Sequence, residues 1–137
     1  MKHETPFETG SKSARKVYYD QAGNVTREQV QTNAVGASAI WSKTEYVYNN
    51  RGHLTSVTAY DGVTPALTTS YTYDAVSNLL TQSTNGATNT YTYDRFGNVL
   101  TVKDPLNQVE SYVYDLGGRV TSRTDRNGWV TRYVIYR

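Results

Sequence analysis

The chain of 137 residues contains no cysteine, which excludes a disulfide framework and thiolate-ligated metal. It has only two histidines, His3 and His53. His53 follows a turn glycine where related segments carry Asn or Arg, so it flanks a turn and is not read as a catalytic base. No run approaches the roughly eighteen apolar residues of a membrane helix. Met1 to Lys16 carries charges and no apolar stretch, so no signal peptide is expected there. The net charge of +2, from 14 basic and 12 acidic residues, is too small an excess to argue for a nucleic-acid partner. The bases are dispersed apart from Lys12, Arg15 and Lys16, read as a solvated arm. No window holds an apolar period near 3.6 residues, so little helix is expected. No Walker or Rossmann glycine pattern is present, and no Ser or Thr sits in a nucleophile motif. These absences leave no catalytic, cofactor-binding or metal-binding residues to nominate.

What the chain has is tyrosine, 13 in all, and 12 of them fall in pairs; only Tyr60 stands alone. The unit is clearest in Tyr91 to Leu100, YTYDRFGNVL. The alternation of Tyr91 and Tyr93 puts both rings on one face of a strand. Asp94 first and Gly97 fourth fit a type I turn closed by a residue at positive φ, and Val99 to Val102 return as the second strand. Copies begin near Tyr18, Tyr46, Tyr71 and Tyr112, with a truncated start near Tyr133. Tyr48, Tyr73, Tyr93 and Tyr114 are spaced by 25, 20 and 21 residues, a period that marks a repeat architecture. Between the copies lies a second set of turns: Asn85-Gly86, Asp104-Pro105-Leu106-Asn107 and Asp125-Arg126-Asn127-Gly128. Each unit therefore holds two strands and two turns, giving an all-β antiparallel meander of roughly ten strands.

The domain reading is a flexible leader over residues 1–13 and a β-sheet domain over 14–137, with Ala14 to Tyr19 the first strand. Val30 to Ser38 and the stretch around Tyr60-Asp61-Gly62 read as lengthened turns. Asn24-Val25-Thr26 fits a glycosylation sequon, but Asn recurs at that place as Asn78 and Asn98, so its role is read as structural. Asp20, Asp74, Asp94 and Asp115, with Gly23, Gly52, Gly97 and Gly118, are the turn-formers; their carboxylates are expected to accept from turn amides rather than to act as acids and bases. Ser77 replaces the glycine in the third copy, where a distorted turn is expected. The register places Tyr19 opposite Val25, Tyr48 opposite Leu54, Tyr73 opposite Leu79, Tyr93 opposite Val99 and Tyr114 opposite Val120. Each is a ring against a branched aliphatic, a favourable cross-strand pair. Tyr46, Tyr48, Tyr71, Tyr73, Tyr91, Tyr93, Tyr112 and Tyr114 then form a ladder on the better buried face, with Thr72, Thr92 and Thr121 on the other. The first and last strands leave backbone groups unpaired, so association through an edge is expected.

The pattern Tyr-x-Tyr-Asp-x-x-Gly, then Asn or Arg, then Val or Leu, with Asp-x-x-Gly following, resembles the YD repeat of the Rhs family. That group includes Rhs polymorphic toxins, the shell subunits of Tc toxins, and teneurins. Tyr91 to Asn107 and Tyr112 to Gly128 match it almost throughout, and the resemblance runs from about Tyr18 to Tyr136. It implies an open, curved segment of an Rhs-type β-shell, about five repeats long. It also implies a non-enzymatic role in which the shell encloses or presents a toxin or other functional domain, and a secreted or cell-surface location. Partners would be neighbouring YD repeats of a longer chain. The other class of reading is a binding module whose exposed tyrosines contact a glycan or a cell-surface partner.

Overall fold

The computed structural model describes residues 2–6, 14–31 and 40–136, with residues 2–6 described by their backbone. Every regular element among them is a β-strand. They are β1 (Lys2–Pro6), β2 (Ala14–Tyr19), β3 (Val25–Gln31), β4 (Trp41–Tyr48), β5 (Leu54–Asp61), β6 (Thr64–Tyr73), β7 (Leu79–Thr84), β8 (Ala87–Tyr93), β9 (Val99–Lys103), β10 (Val109–Tyr114), β11 (Val120–Thr124) and β12 (Val130–Arg132). The chain divides into two compact units, Met1–Ser70 and Tyr71–Arg137. Within each, neighbouring strands follow chain order, and the printed pairings are antiparallel. This is the all-β meander expected from the alternating pattern.

The expected leader contains a strand: Lys2–Pro6 pairs with β2 from Lys2 opposite Tyr18 to Pro6 opposite Ala14. Ala14–Tyr19 is thus the second strand rather than the first. Residues 7–13, and most of the insertion read over Val30 to Ser38, lie outside the described residues.

The stretch at Tyr60 is not a lengthened turn. Asp61 stands opposite Thr64, so the loop is the two residues Gly62 and Val63. Gly62 has φ of 62°, the positive first position of a type II′ turn, whose twist suits a hairpin. The added length went into the strands, and β6 runs ten residues. Asn85 and Gly86 both have positive φ, 47° and 90°, as a type I′ hairpin requires.

The four turn glycines have φ of 87°, 81°, 85° and 77° at positions 23, 52, 97 and 118. Ser77 adopts φ of 76° in the same turn, with Ser77 N donating to Asp74 O at 3.2 Å. The distortion expected there does not occur: the rest of the turn holds the backbone, and the serine carries the cost of the left-handed conformation.

The register follows the sequence reading. Tyr19 faces Val25, Tyr48 faces Leu54, Tyr93 faces Val99 and Tyr114 faces Val120. Each pair sits beside a register shift between the second tyrosine and the residue before it. On the returning strand the extra residue is Thr26, Thr55, Leu100 or Thr121, a β-bulge. Among the described residues no large side chain is fully buried, and Val17 and Asp104, each 8% exposed, are the least exposed. Each unit is a thin sheet, and in the second its tyrosines are the better buried side chains. Tyr71, Tyr73, Tyr91, Tyr93, Tyr112 and Tyr114 are half-buried, while Thr72, Thr92 and Val113 between them are exposed. Thr121 occupies the bulge, and its hydroxyl donates to Val113 O at 3.2 Å.

Candidate functional site

The recurring residues converge on the hairpin tips. At Asp94 the backbone N–H donates to Asn98 O at 2.9 Å, and Gly97 N donates back to Asp94 O at 3.1 Å. The side chain completes the loop: Oδ1 accepts from Phe96 N at 2.8 Å and Asn98 N at 2.9 Å, while Oδ2 accepts from Asn98 Nδ2 at 2.9 Å. A carboxylate two residues before one amide and four before another reaches both only when the backbone turns tightly, so the side chain and the turn specify each other.

The same frame stands at Asp20, Asp74 and Asp115, with Asn24, Asn78 and Arg119 as side-chain partners. Asn49 provides it with an amide oxygen, accepting from Arg51 N at 2.9 Å and His53 N at 3.0 Å. Two turns of the second set use it as well. Asp104 accepts from Leu106 N and Gln108 N, and Asp125 from Asn127 N and Trp129 N, all at 2.9 Å. Asn107, φ 64°, takes the place of glycine in the Asp104 turn. One device thus recurs at both ends of the later hairpins, whereas the ends at Gly62 and Asn85-Gly86 are two-residue turns. The sequence signal was the shared Asp-x-x-Gly spacing, legible at Asp125 as well as at the Tyr-Asp copies, with Asn in place of Gly at Asp104.

These carboxylates are held charged. Asp20, Asp74, Asp94 and Asp115 all lie below the ordinary aspartate range. The largest cause is the side-chain amide of Asn24 or Asn98 for Asp20 and Asp94. For Asp74 and Asp115 it is the backbone N–H of Asn78 or Arg119. A lowered pKa and filled lone pairs suit a structural acceptor and not a proton donor. Among the described residues no group of three His, Asp or Glu side chains is placed to hold a metal ion.

The second tyrosine of a repeat does more than pack. Tyr48 donates its hydroxyl proton to Val25 O at 2.9 Å, Tyr93 to Leu79 O at 2.8 Å and Tyr114 to Val99 O at 2.7 Å. Val25 and Val99 are the residues facing the second tyrosine of the preceding repeat. The hydroxyl supplies a donor to each of these backbone carbonyls. Burial raises the pKa of each of these phenols. The sequence pattern showed a ring against an aliphatic; it carried no sign that the hydroxyl crosses to the previous hairpin. Shallow grooves lie between successive tips of the second unit. One of about 540 Å³ is lined by Asp94, Phe96, Leu100, Tyr112, Asp115 and Leu116 among others.

Hairpins built on a tyrosine ladder, their tips closed by Asp or Asn side chains and three of them clasped to the one before, define a YD-repeat array. The family model described as Teneurin YD-shell matches residues 4–134, and the chain belongs to that family. No curated protein matches the chain. Among solved structures it is similar to the crystal structure of TcdB2-TccC3-Cdc42, at 17% identity and a TM-score of 0.67, over 84% of this chain and 6% of that one. It is also similar to the Tc holotoxin pore of Photorhabdus luminescens carrying a TccC3 mutation, at 16% identity and a TM-score of 0.58, over 88% of this chain and 8% of that one. The TcdB2-TccC3-TEV crystal structure gives 16% identity and a TM-score of 0.57, over 88% of this chain and 9% of that one. The chain therefore spans less than a tenth of each of these structures, which share its fold.

Proposed function

We propose that this chain is a non-enzymatic structural segment of an Rhs-type β-shell, one that encloses or presents a toxin or other functional domain. The observation that carries the reading is where the recurring polar groups go. The aspartates engage turn amides, and Tyr48, Tyr93 and Tyr114 engage carbonyls of the preceding hairpin. A chain whose repeated side chains serve its own backbone is suited to extension and shape rather than to turnover. Its partners are neighbouring YD repeats, and the proposed setting is a secreted or cell-surface protein. The geometry supports packing over glycan contact, because the hydroxyls of Tyr48, Tyr93 and Tyr114 are already engaged.

The test is extension. Copies of the chain joined end to end should gain thermal stability with each copy added, as nearest-neighbour-coupled arrays do. Arrays that melt at the temperature of the single copy would count against a structural segment. Binding on a glycan array that is lost in Tyr93→Phe, with the fold retained, would favour the binding module instead.

A further inference from the structure

The sequence holds two Asn-Gly steps, Asn85-Gly86 and Asn127-Gly128, and the structural reading makes no use of their chemistry. Asn before Gly is the pair in which a backbone nitrogen most readily reaches the preceding side-chain amide, because Gly has no Cβ to obstruct the approach. Both steps lie in exposed turns. The turns hold them differently.

Asn127 and Gly128 are third and fourth in an Asp-x-x-Gly turn. Gly128 N donates to Asp125 O at 2.9 Å, and Asn127 N donates to Asp125 Oδ1 at 2.9 Å. The nitrogen that would attack is engaged in the bond that closes the turn. The third place of a type I turn also has ψ of about 0°.

Asn85 and Gly86 are the whole loop between β7 and β8. Thr84 stands opposite Ala87, so the ladder closes on that flanking pair and the peptide joining Asn85 to Gly86 lies outside it. The φ values of 47° and 90° are those of a type I′ turn. A Cβ at Gly86 would meet no atom within 4 Å, so the space around the turn is open. Types I′ and II′, the two turns suited to such a hairpin, differ by a flip of this one peptide. The flip carries ψ of the first loop residue from about +30° to about −120° and φ of the second from about +90° to about −80°. Asn85 already has the positive φ that both types require.

Attack on the side chain closes a five-membered ring from Gly86 N and the C, Cα, Cβ and Cγ of Asn85. These atoms must come near one plane, which for an L residue sets ψ at about −120°, the type II′ value. The conformation that brings Gly86 N to Cγ is thus one peptide flip away and leaves the pairing of β7 and β8 intact. Asn127 reaches it only by breaking the bond from Gly128 N to Asp125 O.

We propose that Asn85 is a site of spontaneous modification, converted through a succinimide to isoaspartate and aspartate, while Asp125 holds Asn127 back. The deprotonated Gly86 N forms a bond to Asn85 Cγ; the bond from Cγ to Nδ2 breaks, and the nitrogen takes a proton from water and leaves as ammonia. Water then opens the imide. Cleavage at the α-carbonyl leaves the chain joined through Cγ as isoaspartate, and cleavage at Cγ leaves aspartate. The isoaspartyl product adds a methylene to the main chain of a two-residue loop, which a type I′ turn cannot contain, and frees an α-carboxylate open to enzymatic methylation.

The test compares two sites in one molecule. The full chain is incubated folded at mildly alkaline pH, and peptide maps follow both steps. Asn85 should convert roughly tenfold or more faster than Asn127, the factor expected when two turn hydrogen bonds must open first. In urea the two should convert at similar rates, since the dipeptide is the same. Methyl label from an isoaspartyl methyltransferase should enter the peptide that contains residue 85. Asp125→Ala should speed Asn127 severalfold and leave Asn85 unchanged, with the β-sheet circular dichroism retained. Equal rates in the folded chain, or Asn127 ahead, overturn the proposal, and so does a slow Asn127 in a folded Asp125→Ala. Should that variant not fold, the comparison within the unmodified chain decides alone. The structural-segment reading is tested separately, by extension, and stands or falls without this result.

Discussion

The two units use the same tyrosine face and different reverse faces. In Met1–Ser70 the reverse face is charged and aromatic. Lys16 lies 4.4 Å from the Trp41 ring, Arg27 5.4 Å from Tyr18 and Lys43 3.5 Å from Tyr60. Glu45 joins them, at 3.1 Å from Arg27 and 3.3 Å from Lys43, and accepts from Tyr60 at 2.7 Å. In Tyr71–Arg137 the equivalent face carries threonines, with Thr72 paired to Thr81 and Thr92 to Thr101 at 2.6 Å each. The tips are the same in both units. The repeat therefore prescribes one face and the turns and leaves the other face to vary. Exposed ion pairs and hydroxyl pairs are interchangeable there because neither contributes much. Tyr18 shows the rule from the other side: adjacent to Tyr19, it falls on the reverse face opposite Arg27, and Val17 takes the ladder position.

The largest expected effect tests that asymmetry directly. Tyr93→Ala should lower the unfolding free energy by about 3 kcal/mol in urea titrations, in the range for removing a large packed ring. Thr92→Ala, one residue away on the other face, should cost about 0.5 kcal/mol or less. Equal losses would erase the distinction between faces.

Acid should weaken both units through the turn carboxylates, and the second unit also through Glu110. Arg123 forks onto Glu110 at 2.9 and 2.7 Å, and Tyr112 donates to it. The Arg123 hydrogen bond, followed by that of Tyr112, holds its carboxyl at about 2. A pKa lower in the folded state means that the unfolded chain takes up the proton first as pH falls. This contribution is whole above the ordinary glutamate range and is lost between there and about pH 2. Thermal melts from pH 6 to pH 2 should show it, and Glu110→Gln should flatten the lower part of the profile. An unchanged profile would deny the ion pair its role.

Next come the turns. Gly97→Ala should cost about 1 kcal/mol; a Cβ there would meet only Asn78 Oδ1, at 3.7 Å, so the cost comes from φ and not from crowding. Ser77→Gly should stabilise by roughly 0.5–1 kcal/mol, relieving the one tip that holds a left-handed serine. Denaturant midpoints that move the same way in both variants would contradict the shared turn.

The smallest effect belongs to the reverse face of the first unit. Lys43→Gln should cost a few tenths of a kcal/mol and less in high salt. A loss as large as that of Tyr93→Ala would show that this face, too, is prescribed.

The Tyr-to-aliphatic register was legible because strand alternation and turn length together leave one pairing, and Tyr93 opposite Val99 followed from counting. The tip was legible for the same reason, since Asp94 and Gly97 each satisfy a local requirement. The tolerance at Ser77 was not, because local preference does not report how firmly Asp74 and Asn78 hold the turn. The tight hairpin at Gly62 was missed because an unpatterned stretch reads as a loop, although β6 pairs through it. The hydroxyl clasp of Tyr114 joins residues from different hairpins, and no local pattern encodes that reach. β1 was missed because Lys2–Pro6 has no alternation to announce a strand.

The clasp also gives the array a direction. Tyr48, Tyr93 and Tyr114 each reach back to a hairpin nearer the N-terminus. A hairpin leaving the ribosome therefore finds its acceptor already made and waits for nothing downstream. Growth of this kind needs only local closure followed by docking on a finished neighbour, the low contact order that favours rapid folding. A chain with hardly a core to collapse around would then assemble like a zipper, tooth after tooth in the order of its synthesis.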